Sequence, residues 1–179
     1  MKKCLFPLLA ALLTLVGCNG NRVSYKGFSF EYPDNYKLNK NVTADGMRCM
    51  LEEKGSNDLF LVEVIPDFLE DFGLTGSGNA EIGNAMANAV YDMYNHFFYS
   101  DEDVTLDKEL VIDSSKDGDY APFAYAELTG KIGDSPFRAV INSDLWGENQ
   151  VTTLILAYSE EKYNQMFNQI FGSYTWEAK

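Results

Sequence analysis

The stretch Val151–Trp176, VTTLILAYSEEKYNQMFNQIFGSYTW, decides how the chain is read. Val151 to Tyr158 is β-branched or apolar with no glycine or proline, the composition of a strand. The period then changes. Ser159 is a suitable N-cap, and Glu160 and Glu161 put negative charge at the positive end of a helix dipole. Tyr163, Met166, Phe167, Ile170 and Phe171 recur at steps of three and four and form one apolar stripe, with Asn164, Gln165, Asn168 and Gln169 outside it. Gly172 is expected to stop the helix. Ser173–Trp176 then adds a terminal strand or packs across the helix end.

Upstream of this stretch the pattern is a meander. Glu109–Ser114, Phe123–Lys131 and Phe137–Leu145 alternate as strands, and "IGDS" and "WGEN" supply turns short enough to demand antiparallel pairing. One face of the strand from Phe123 carries Ala124, Ala126, Leu128 and Gly130, small enough as a row for a helix to pack closely. Before the meander a helix is predicted over Ala80–Phe98, with Ile82, Met86, Ala89, Val90, Met93 and Phe97 on its apolar stripe and Asn84, Asn88 and Asn95 opposite. Tyr91 and Phe98 also fall on the outer side. Strands open the chain: Val23–Tyr25 and Phe28–Tyr32 around Lys26-Gly27, with Phe28, Phe30 and Tyr32 on one face, then Arg48–Glu53 and Leu59–Ile65. The near-continuous apolar run of the last suits a central place in a sheet. In "GMRCMLEE", Cys49 alternates with Met47 and Leu51, which turns its thiol inwards.

The first residues carry an address. Met1-Lys2-Lys3 is positive, and Leu5–Val16 is an apolar run of 12 residues broken only by Pro7 and Thr14. A membrane-spanning helix needs about 20 such residues, so the run reads as a secretory signal peptide, residues 1–17. Leu15-Val16-Gly17-Cys18 resembles the bacterial lipoprotein box, which implies cleavage before Cys18 and lipid on its sulfur and amine; two or more acyl chains anchor a protein stably. Asn19, where an inner-membrane retention signal would carry aspartate, favours the outer membrane, on either its periplasmic or its surface face. Residues 18–22 form the lipidated cysteine and a tether on the order of 15 Å long. Residues 23–179 form a single domain.

The chain has 14 basic and 27 acidic residues for a formal charge of −13; without Lys2 and Lys3, 12 basic residues remain, a charge of −15. Nucleic-acid affinity depends on lysine and arginine neutralising phosphates, so DNA and RNA are excluded as natural partners. A cation, a basic protein or a neutral ligand fits better. With Cys18 lipidated, Cys49 has no disulfide partner.

In order, this is strands, a long helix, an antiparallel meander and a closing helix. "YKGFSFEYPDNYKL" (Tyr25–Leu38), "AYAEL" (Ala124–Leu128) and the closing stretch resemble the Mog1/PsbP-like family, including the DcrB-like bacterial lipoproteins. The resemblance implies an α/β/α sandwich with a central antiparallel sheet. It also implies an accessory or binding role, since the family shares no catalytic set and no active-site residue carries over. A cone-shaped α+β domain of the NTF2-like type is the second reading, although its early helices are missing.

Chemistry-bearing motifs are sparse. His96 is the sole histidine and stands near a helix end without a nucleophile elbow. One histidine and one free cysteine cannot complete a four-ligand zinc cluster. "GLTGSGNA" (Gly73–Ala80) lacks the lysine of a phosphate loop and leads into the helix. "DSSKDGD" places Asp113, Ser115, Asp117 and Asp119 at alternate positions around Gly118, a spacing that can wrap calcium, but the twelfth position is Ala124 where a bidentate glutamate belongs. "PDFLEDFGL" (Pro66–Leu74) groups Phe68, Leu69 and Phe72 as a candidate ligand- or partner-facing patch. The expectation is therefore a membrane-anchored, non-enzymatic envelope lipoprotein that docks an envelope protein and takes no cofactor. A small-ligand or calcium-binding lipoprotein is the alternative.

Overall fold

The computed structural model describes residues 21–99 and 103–177. Strands β1 (Asn21–Tyr25) and β2 (Phe28–Tyr32) make a hairpin through Lys26 and Gly27, both at positive φ (46° and 89°), as a tight two-residue turn requires. A meander of β3 (Tyr36–Val42), β4 (Met47–Glu53) and β5 (Leu59–Ile65) follows. The short helix α1 (Phe68–Asp71) leads to α2 (Asn79–Tyr94), which ends in one π turn, Asn95–Tyr99. Then come β6 (Val104–Leu106), β7 (Asp113–Ser114), β8 (Phe123–Ile132), β9 (Ser135–Trp146) and β10 (Asn149–Ala157). Helix α3 (Glu160–Gln169), a 3-10 turn at Phe171–Ser173 and β11 (Thr175–Trp176) close the chain. No helix among the described residues is long and apolar enough to cross a membrane.

One large antiparallel sheet runs in the order β3-β4-β5-β10-β9-β8-β6, with β7 also paired to β8. β5 and β10 lie inside it, and every residue of β10 is buried, its apolar Val151, Leu154, Ile155 and Leu156 in the two cores and its Gln150, Thr152 and Thr153 side chains hydrogen-bonded. On one face α2 packs Ile82, Met86, Val90 and Met93 over Leu61, Ala126, Ile141 and Leu154. The other face carries Cys49, Leu51, Phe60, Val62 and Ile155 under α3 and a small sheet, β1-β2-β11. Phe28, Phe30, Phe60 and Phe171 gather around Tyr174, with Phe28 and Phe171 at centroid distances of 4.8 and 4.9 Å. Burying each such ring contributes roughly 2–3 kcal/mol. The fold is the α/β/α sandwich with a central antiparallel sheet.

Local physics explains the details. Ser159 Oγ accepts from Lys162 N at 3.2 Å and caps α3. Gly172 is not its stop: α3 ends at Gln169, where Ile170 N still donates to Met166 O, and the chain tightens into the 3-10 turn. Strand β3 has no clear apolar signal; it is an edge strand whose exposed Lys37 and Lys40 discourage further pairing. Of the expected strand Glu109–Ser114 only Asp113–Ser114 pairs, and Val104–Leu106 takes the rest of the β8 edge. Gly130 serves that edge rather than a helix, since a Cβ there would come within 2.1 Å of Thr105 O.

The end of α2 differs from a straight α-helical reading. The π turn inserts one extra residue, so the inward position passes from Phe97 to Phe98. Phe98 is buried and stacks on Phe137 at 5.4 Å, whereas Phe97 is only half-buried. Cys49 is fully buried, and burial pushes its thiol up to about 11.

Candidate functional site

The face of β8, β9 and β10 that turns towards α3 is only partly covered. Antiparallel register sets three rows across it: Phe123, Asp144 and Val151; Tyr125, Asn142 and Thr153; Glu127, Val140 and Ile155. Alternation dictates these rows, because the intervening Ala124, Ala126, Ile141 and Leu154 belong to the α2 side. Along one flank α3 and the 3-10 turn raise a wall of rings. Tyr163 stacks on Phe167 at 6.1 Å and 17°, and Phe167 stacks on Phe171 at 5.2 Å and 21°. Helical spacing of four residues puts these side chains one above the other. Between wall and strands lies an open groove of about 430 Å³.

The two ends of the groove differ in charge. At one end Arg138 donates from Nε to Glu127 Oε1 at 3.0 Å, and from Nη1 to Glu160 Oε1 and Oε2 at 2.8 and 2.9 Å. Its guanidinium also lies 4.0 Å from the Tyr163 ring centroid. That cation is fully engaged. At the other end Asp144 accepts a hydrogen bond from Asn142 Nδ2, and no basic side chain among the described residues pairs with it. Burial pushes the Asp144 carboxyl up, against the opposing effect of the Asn142 amide. The Thr153 hydroxyl on the floor shares a 2.8 Å hydrogen bond with Tyr174 OH, which burial raises well above the usual phenol range. Carboxylate, amide and ring faces can hold a ligand by contact.

The residues singled out from sequence lie elsewhere. Phe68 is buried in the core on the α2 side and Leu69 packs beside it, while Phe72 stands 58% exposed with its ring 4.8 Å from Phe68. A cavity of about 340 Å³ opens nearby, but it is lined by Lys26, Asp67, Asn149 and Trp176 instead. Asp113, Ser115, Asp117 and Asp119 do not form a cation site. Ser115 is buried, its Oγ donating to Asn79 O at 2.8 Å and accepting from Phe123 N at 3.3 Å. Asp119 Oδ2 caps its own loop by accepting from Lys116 N at 2.6 Å, and no three metal-ligating side chains converge among the described residues. His96 is exposed on the π turn, its ring 4.8 Å from Phe97. Cys18 and the signal segment lie outside the described residues. Tyr125, Glu127, Asn142 and Asp144 were legible only as outward strand positions; nothing local to them signals that α3 stands alongside.

A central antiparallel sheet with α2 on one face, and α3 and a small sheet on the other, defines the Mog1/PsbP-like fold. The chain is similar to the solution structure of cyanobacterial PsbP (CyanoP) from Synechocystis sp. PCC 6803, with a TM-score of 0.54 and 17% identity over 88% of this chain and 92% of that one. At that identity the likeness is one of fold. A crystal structure from Bacteroides thetaiotaomicron matches at a TM-score of 0.49 and 10% identity over 89% of this chain, which spans 49% of that longer chain. No protein-family model and no curated protein sequence matches the chain.

Proposed function

We propose that this chain is a lipid-anchored protein of the bacterial outer membrane and works as a non-enzymatic accessory module, docking a protein partner through the groove beside α3. The observation that carries the reading is the groove itself. It is a sheet face left open between stacked rings and a carboxylate that no cation among the described residues neutralises. The lipoprotein box around Cys18 supplies the anchor. Strand β1 starts at Asn21, two residues before the expected domain start at Val23, so Asn19 and Gly20 alone separate it from Cys18. Such a tether reaches about 7 Å beyond Cys18, which restricts partners to those at the membrane surface.

The test is photo-crosslinking in native membranes. A photoreactive side chain placed at Phe167 should give one recurring protein adduct, and the same group at exposed Phe72 on the opposite layer should not. The adduct should vanish in the Cys18→Ala background. Equal adducts from both positions, or none from Phe167 in a protein shown to carry lipid, would refute the reading.

A further inference from the structure

Asp144 stands apart from the other carboxylates of the groove. Glu127 and Glu160 are held by Arg138, whereas among the described residues Asp144 has the neutral amide of Asn142, and no cation, as its side-chain hydrogen-bond partner. Folding has already removed part of its water, so the largest cost of pairing it with a cation falls on the folded chain rather than on the binding step. Across the groove the rings of Tyr163, Phe167 and Phe171 line one wall, and Tyr125 lies on the strand floor. An aromatic wall beside a lone carboxylate favours a ligand with an apolar stem and a positive head. The stem lies along the rings, and the head gains both ring quadrupole and carboxylate. The acidic surface adds long-range attraction for a basic surface and repels an acidic one.

Resting on the docking role proposed above, we infer that the groove receives a lysine or arginine side chain of a basic protein partner, its stem against Phe167 and Phe171 and its cationic head on Asp144. The open shape suits an extended segment that lays one side chain in and continues out at both ends. A side chain of that kind reaches Asp144 without displacing Arg138, whose bonds to Glu127 and Glu160 hold the far end in place.

The experiment uses the full-length protein extracted in a non-ionic detergent. A fluorescent nonapeptide with lysine at its centre, the same peptide with norleucine there, and n-butylammonium as a competitor are the probes. The lysine peptide should bind, and the norleucine peptide should bind at least about tenfold more weakly. Asp144→Asn, which keeps the shape, and Phe167→Ala, which opens an already exposed wall, should each weaken the lysine peptide by a similar factor. Asp134→Asn, an equal loss of charge in the β8–β9 turn, should leave it unchanged. Equal losses in Asp134→Asn and Asp144→Asn would reduce the effect to overall charge and overturn the inference. Competition by n-butylammonium as strong as by the unlabelled peptide would make the ligand a small amine and overturn it as well. The two proposals fail separately. A Phe167 adduct whose yield is indifferent to Asp144→Asn keeps the docking role and removes the cation. Selective lysine binding without any membrane adduct does the reverse.

Discussion

The guanidinium of Arg138 lies 4.0 Å from the centroid of the Tyr163 ring while its nitrogens bond Glu127 and Glu160. One side chain thus ties β8, β9 and the start of α3 together and sets where the groove ends. Arg138 is partly exposed, and each such ion pair contributes at most about 1 kcal/mol, with the ring contact adding about 0.5–1 kcal/mol. Arg138→Met should therefore cost about 1–2 kcal/mol in urea denaturation. High salt should shrink the difference, because the ionic share is screened.

Asp144 should lower stability at neutral pH. Burial raises its folded pKa above the ordinary aspartate value, so the folded chain holds the proton more tightly than the unfolded one. Its stabilising contribution is then fully present below the ordinary value and is lost as pH rises through the folded value. Asp144→Asn should raise the melting temperature at pH 7, and the gain should disappear in strong acid, where both states of the wild type are protonated. A gain that is equal at both pH values would show that charge is not its cause. A stability cost at Asp144 is what the binding role proposed above would entail, since a site that must stay open trades stability for function.

Phe97 and Phe98 separate the π turn from a regular helix. Phe98→Ala should cost about 3–5 kcal/mol, the range for deleting a buried ring, as read by thermal or urea unfolding. Phe97→Ala should cost well under half of that. The reverse order would place Phe97 inside and remove the π turn.

Gly83 reverses the usual helix rule. Replacing a helical glycine with alanine ordinarily stabilises by about 1 kcal/mol. Here the new Cβ would lie 2.2 Å from Ser115 Oγ and 3.2 Å from Phe123 O. Gly83→Ala should instead destabilise by about 1–3 kcal/mol through overpacking. In the Gly83→Ala/Ser115→Ala double variant part of that loss should return, measured as a coupling energy in a double-mutant cycle.

Elements whose signal is local were legible in the sequence. The stripe of α3, its Ser159 cap, the two-residue turns at Gly133 and Gly147, and the inward Met47, Cys49 and Leu51 follow from period, capping and turn chemistry. The central place of Leu59–Ile65 follows from its continuous apolar run. By contrast β3 and β6 owe their strand form to neighbours: a polar or very short segment pairs because an edge with free N–H and C=O groups is waiting beside it. The Phe97–Phe98 exchange depends on one extra residue in a helical turn, which no periodic template contains.

The groove belongs to the second kind. Sequence alternation determined that Tyr125, Glu127, Asn142 and Asp144 point away from the α2 side, and that Tyr163, Phe167 and Phe171 share one face of a helix. Only the tertiary structure decided that these two sets face each other, because that depends on where α3 comes to rest after the turn at Tyr158–Ser159. Its place is set by Met166 and Ile170 in the core and by Lys162 Nζ on Glu53 Oε1 at 2.6 Å, contacts made with strands far back in the chain.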